Sequence, residues 1–102
     1  MEVRHGMTQR AAVIIEEIYE GEESARAKRD CVCVLLYLLE KTTDERGVFT
    51  VTRREVEEAT FCKYYAIGDA FRWLELRGHI VSAGEAERGA YRYCFSWNAH
   101  RR

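Results

Sequence analysis

The hydrophobic positions change period along the chain, and each change marks an element. Over residues 8–19 or 8–20, Ala11, Ile14, Ile15 and Ile18 recur at the spacing of one helical face, and Ala12 and Val13 widen the stripe. Gly21 ends or bends that helix. A second helix is expected over residues 23–41, polar in its first half (ESARAKRD) and apolar in its second (CVCVLLYLLE). Acids at its start suit a helix N-terminus. Val32, Leu35, Leu36 and Leu39 are its expected core face. Val34 and Leu38 then face elsewhere, so this helix should be covered on more than one side. Residues 1–6 are expected as a loose tail and residues 41–47 as a polar loop.

Period two takes over at residues 48–51, VFTV, a short β-branched strand. Thr52, three residues before Glu55, forms a capping box: the hydroxyl takes one orphan amide and the carboxylate another. A short helix follows over residues 53–60, with Val56 and Ala59 inward. The pattern breaks at Phe61-Cys62. A further helix over residues 63–77 sets Ile67, Ala70, Phe71 and Leu74 on one face, and Gly78 supplies its left-handed cap. Residues 80–83 and 90–97 are two strands around the glycine-bounded loop 84–89. In the second, Tyr91, Tyr93, Phe95 and Trp97 alternate with Ala90, Arg92, Cys94 and Ser96. VFTV adds a third strand at the edge. Two short helices joined by a tight turn are a helix-turn-helix arrangement, and with the strands they give an α+β chain.

The stretch EVEEATFCKYYAIGDAFRWLELRGHI resembles the core of winged helix-turn-helix transcription regulators, MarR-like and related. Val56 and Ala59 match buried positions of the first helix of the pair. Cys62 falls where a small apolar residue packs under the turn. Ile67, Phe71 and Leu74 match the inner face of the recognition helix, and LELRGHI resembles the exit into the wing. The likeness runs over residues 31–97. It departs at Phe61, where glycine is common, and at Gly68 and Asp69, where polar or basic residues are usual. It implies a three-helix core plus a β-hairpin wing, here with an extra N-terminal helix. The expected division of one 102-residue domain is a tail and accessory or dimerisation helix (1–22), a winged-helix core (23–97) and a basic tail (98–102). The resemblance further implies binding of double-stranded DNA and regulation of transcription, and the apolar excess of the first two helices points to a homodimer built on residues 8–19 and the outer face of residues 31–39. Small regulators of this pattern are frequent in archaea and their viruses.

Composition adds limits. The chain is 47% hydrophobic, enough for a modest core, yet no apolar run approaches the ~18 residues of a membrane span. The start, MEVRHGMTQR, lacks a secretory apolar run, so an intracellular protein (host cytoplasm, if viral) is expected, without a membrane partner. Net charge is −1. Residues 1–60 carry nine basic and thirteen acidic side chains; residues 61–102 carry seven and four. The basic surplus therefore lies with the helix-turn-helix exit and wing, as nucleic-acid binding would need; scatter of solvated charges is the plain alternative. Gln9 and Asn98 are the only side-chain amides, a hint of a thermophilic source.

A helix in the major groove reads bases with its N-terminal outer residues. Here these are Lys63, Tyr64 and Tyr65, then Gly68, Asp69 and Arg72. Asp69 would repel phosphate unless it pairs with Arg72. Arg53 and Arg54 open the preceding helix near the DNA backbone, and Arg88 and Arg92 lie on the wing, whose Glu85 and Glu87 weaken it. A solvated helix face and hairpin are the competing reading. A winged-helix protein-interaction module without DNA binding is the alternative function, and the net charge of −1 speaks for it.

Cys31, Cys33, Cys62 and Cys94 lack the spacing of a zinc site. Cys31 and Cys33 on one helix point about 200° apart, so they cannot bridge each other. The four cysteines are buried apolar groups, members of a disulfide (a bridge between subunits through Cys31 or Cys33 being one form), or redox sensors. His5, His79 and His100 lie apart, and no nucleophile or phosphate-loop motif appears. No enzyme activity, cofactor or metal is expected.

Overall fold

The computed structural model describes residues 2–42, 47–84, 86 and 88–96, with side chains from residue 9 onward. Most of the expected 41–47 loop, Glu85, Glu87, Trp97 and the 98–102 tail lie outside the described residues. Seven elements follow in order: α1 (Glu2–Glu20), α2 (Ala25–Lys41), β1 (Val48–Thr52), α3 (Arg53–Thr60), α4 (Tyr64–Leu76), β2 (Ile80–Ser82) and β3 (Ala90–Phe95). The described residues thus form an α+β structure of four helices and a three-stranded antiparallel sheet, order β1-β3-β2. β3 is central, pairing Thr50 with Arg92 on one side and Ser82 with Tyr93 on the other. Among the described residues no helix is long and apolar enough to cross a membrane.

One buried cluster joins every element. Ile14 and Ile18 of α1 meet Cys31, Val34, Leu35 and Leu38 of α2, Phe49 and Val51 of β1 and Val56 of α3. Ile67, Ala70, Phe71 and Leu74 of α4, Ile80 and Phe95 complete it. Three expectations are corrected here. Residues 2–6 are helical rather than a loose tail: Glu2 opens α1, and Gly6 is tolerated inside a long helix at about 1 kcal/mol. The core face of α2 is Cys31, Val34, Leu35 and Leu38, not Val32, Leu35, Leu36 and Leu39; Leu36 is 50% exposed. The nine-residue apolar run offers several candidate stripes, and packing against α1 and α4 selects one. Ala59 is exposed, leaving Val56 as the buried residue of α3.

α1 is also more than an accessory, since Ile14 and Ile18 are 3% and 2% exposed. Its end is tied twice. The Lys28 ammonium donates to the Tyr19 carbonyl at 2.9 Å. Glu17 meets Arg77 at 3.6 Å and His79 at 3.1 Å just beyond α4.

The Thr52 corner forms as the sequence requires. The Glu55 amide donates to the Thr52 hydroxyl at 3.1 Å, and the Thr52 amide donates to the Glu55 carboxylate at 2.7 Å. The same carboxylate accepts the Tyr37 hydroxyl at 2.8 Å and faces Lys41 at 3.5 Å. Burial raises the Glu55 pKa, but the Thr52 amide, Tyr37 and Lys41 outweigh it and hold the carboxyl below its usual value. Burial, then the bond to Glu55, pushes the Tyr37 phenol up to about 12. A carboxyl with a depressed folded pKa stabilises the fold above its unfolded pKa and loses that contribution as pH falls through the folded one. Glu55→Gln should therefore cost about 1 kcal/mol at neutral pH. Its deficit against the wild type should shrink as the solution is taken below about pH 4. Urea melts across pH 2–7 test this; a deficit that persists unchanged at pH 2 would contradict it.

Candidate nucleic-acid interface

α3 and α4 meet at a three-residue turn. α3 ends at Phe61, whose amide donates to the Glu57 carbonyl at 2.8 Å and whose φ of 60° is left-handed. For a bulky residue this backbone costs about 1 kcal/mol. Cys62 is buried beneath the turn. Its amide donates to the Thr60 hydroxyl at 3.2 Å, and its thiol lies 3.6 Å from an Asp30 carboxylate oxygen. Lys63 then starts α4 without a side-chain cap of its own. The turn is thus fixed from below by Cys62 and α2, while Phe61 and Lys63 point to solvent.

α4 is seated by its inner face. Phe71 stacks on Tyr91 at 4.3 Å between centroids and meets Tyr93 at 5.6 Å. Opposite that contact, Tyr64, Tyr65, Asp69 and Arg72 are exposed and Gly68 is half-buried. Tyr64 and Tyr65 meet edge to face at 6.0 Å. Two clefts flank this outer strip. One, of about 250 Å³, lies toward β3 and is lined by Gly68, Phe71, Arg72, Glu75, Leu76, Tyr91 and Tyr93. The other, of about 180 Å³, lies toward the start of α2; Tyr65 and Asp69 are on its wall with Arg26, Asp30 and Trp73. Asp69 and Arg72 line opposite clefts and do not pair, so the condition under which Asp69 would cease to repel phosphate is not met.

The arginines divide into engaged and free. The Arg53 guanidinium donates twice to the Tyr91 hydroxyl, at 3.0 and 2.6 Å, and lies over the Tyr64 and Tyr91 rings at 5.8 Å each. The Arg53 amide donates to the Gly89 carbonyl at 3.4 Å, which holds the hairpin beside the start of α3 and brings Arg88 to that corner. Arg54 faces Glu58 at 3.6 Å, one helical turn on. Arg92 is not with α4. Alternation along β3 turns it to the other face of the sheet, where it donates to the Ala83 carbonyl at 3.2 Å and approaches the Thr50 hydroxyl at 3.5 Å. Lys63, Arg72 and Arg88 have no ion-pair partner among the described residues. The sequence reading missed Tyr91 as the hub of this region. Alternation marks its ring as inward, but nothing in the pattern says that its hydroxyl reaches α3.

No disulfide joins Cys31, Cys33, Cys62 or Cys94. Burial, then Glu23, pushes Cys31 up to about 12, so its thiolate is inaccessible at neutral pH. Cys33 is the half-buried member of the pair on α2 and the one open to exchange. Among the described residues no group of His, Cys, Asp and Glu is placed to hold a metal ion. No protein-family model, no curated protein and no solved structure matches the chain.

The Arg53–Tyr91 link yields a direct test. Tyr91→Phe keeps the stack on Phe71 and removes the acceptor. It should cost about 0.5–1 kcal/mol, and Arg53→Ala should add little on top of it. Fully additive losses in a double-mutant cycle would show that the two side chains are not coupled.

Proposed function

We propose that the chain is a winged helix-turn-helix domain that binds duplex DNA as a homodimer and regulates transcription, with α3–α4 as the helix-turn-helix and β2–β3 as the wing. The observation that carries the reading is the outer strip of α4. It follows a rigid turn, is seated from behind by aromatic stacking, and displays Lys63, Tyr64, Tyr65, Gly68 and Arg72 between a hairpin and α2. Lys63, Arg72 and Arg88 are free to meet phosphates, and Arg53 and Arg54 are exposed at the start of α3. Asp69 faces the α2 side, away from the hairpin flank that Arg72 shares. A dimer is supported by apolar groups left outside the core. Leu36 of α2 is 50% exposed, on a stripe with Val32 and Leu39, which are themselves partly packed on the core, and Val13 and Tyr19 of α1 are 60% and 56% exposed. The competing reading, a protein-interaction module without DNA, is favoured by Leu76, 80% exposed on α4 itself, and by the net charge of −1.

Selection of bound duplexes from a random pool separates the two. Recovery of an inverted repeat with half-sites about 34 Å apart supports the regulator; no enrichment and no salt-dependent binding supports the interaction module. Within the first reading, Lys63→Ala and Arg72→Ala should each leave the fold intact and reduce the salt slope of binding by about 0.9. Gly68→Ala gives a test with opposed signs. A Cβ there meets nothing within 4 Å, so alanine should stabilise the helix by about 1 kcal/mol. It should nonetheless weaken DNA binding, because that position faces the groove.

For the dimer, Leu36→Glu is preferable to removing α1, whose Ile14 and Ile18 belong to the core. The variant should sediment as a folded monomer at micromolar concentration. A wild-type chain that is itself monomeric, alone and on DNA, would remove the dimer from the proposal.

A further inference from the structure

Phe61 combines two unfavourable features. At 91% exposure it is the most exposed large hydrophobic side chain of the described residues, and it is their one non-glycine residue with positive φ. A left-handed backbone crowds its Cβ, and a ring in water leaves apolar area unburied. Glycine or asparagine would serve the turn without either cost, since the hydrogen bond to the Glu57 carbonyl is made by the backbone. Within the chain the ring touches no aromatic or cationic partner among the described residues. The fold therefore gains nothing from a phenyl group at this position.

What the position does have is placement. Phe61 stands three residues ahead of α4, next to buried Cys62, with its ring in solvent. The free ammonium of Lys63 lies two residues on, followed by the exposed rings of Tyr64 and Tyr65. Of the acids around this turn, Glu58 is paired with Arg54, Glu57 is half-buried on α3, Asp30 of α2 faces the Cys62 thiol, and exposed Asp69 lies on the α2 side of α4. Cationic and aromatic groups around an exposed apolar ring suit a polyanion that also offers apolar surface. In a DNA groove that surface is the thymine methyl and the sugar edge.

We infer that Phe61 is a DNA contact, packing its ring against thymine methyls and deoxyribose at the wall of the groove that α4 enters. This rests on the DNA-binding reading of α4 and adds an apolar, uncharged element to it.

The test compares wild type, Phe61→Gly, Phe61→Asn, Phe61→Trp and Lys63→Ala. Each is titrated against a labelled mixed-sequence duplex of about 30 base pairs, roughly three helical turns. The duplex is made once with thymine and once with deoxyuracil throughout, and each titration is repeated over a salt series. The glycine and asparagine variants should melt a few degrees higher than wild type, because the backbone strain is gone. They should bind the thymine duplex about fivefold to tenfold more weakly, with an unchanged salt slope, and Phe61→Trp should recover most of the loss. Deoxyuracil should weaken the wild type and leave the glycine variant unaffected. Glycine and asparagine variants that bind both duplexes like wild type would overturn the inference and turn the ring over to a protein partner. So would variants that melt lower as well as bind more weakly, since the ring would then be structural. A wild-type chain that binds neither duplex overturns the DNA reading itself, whereas a Lys63→Ala variant with a reduced salt slope beside unaffected Phe61 variants keeps that reading and overturns the Phe61 contact alone.

Discussion

The corner at Thr52 is the constraint on which the arrangement depends. There the chain passes from strand to helix within one residue, which strands amide groups that must find acceptors. Thr52 and Glu55 satisfy them reciprocally. The carboxylate does more than cap, because Tyr37 and Lys41 reach it from α2. The next residue, Arg53, binds Tyr91 through its side chain and Gly89 through its amide. One corner thereby fixes β1, α2, α3 and the hairpin against one another. α4 then has a single seat, with Phe71 on the ring of the same Tyr91.

The same arrangement decides which basic side chains of a chain of net charge −1 are already engaged. Formal charge counts every arginine alike, but the structure uses several internally. Arg53 serves the corner, Arg54 pairs within α3, Arg92 braces the far face of the sheet, and Arg77 covers Trp73 at 4.9 Å while meeting Glu17. Among the described residues, Lys63, Arg72 and Arg88 have no ion-pair partner. Under the proposed function these three supply the long-range attraction. Specificity then falls to uncharged groups, the tyrosines at the start of α4 and the bare backbone at Gly68. A modest salt dependence with appreciable sequence preference is the balance that this division implies.

Much of the fold was legible because several local signals agreed. The capping box, the apolar face of α4, the Gly78 cap at φ 78° and the alternation along β3 each pointed to the observed element. The face of α2 was not legible. In CVCVLLYLLE almost every position is apolar, so period alone cannot choose a stripe, and only the neighbours α1 and α4 decide it. Ala59 was misplaced because alanine fits either environment. In the candidate interface, the residues of α4 followed from helical geometry, whereas Arg92 was assigned by its charge and not by its parity on β3. Tyr91 was missed because its role comes from a hydroxyl crossing to an element 38 positions away in the sequence, which no local pattern encodes.

The last link runs through α1. Its inner residues Ile14 and Ile18 are core, its Glu17 holds Arg77 and His79 where α4 gives way to β2, and its outer residues Val13 and Tyr19 are exposed. His79 in turn lies against Trp73 at 5.8 Å, and Trp73 lines the cleft that Tyr65 and Asp69 share. A partner seated on the outside of α1 would therefore press on a helix whose other side positions the C-terminal end of α4. Core packing at crystal-like density transmits such displacements rather than absorbing them. In a dimer built on α1 and α2, the spacing of the two α4 helices would follow from the interface with little slack. Association and the geometry of the reading helices would then be set by the same side chains.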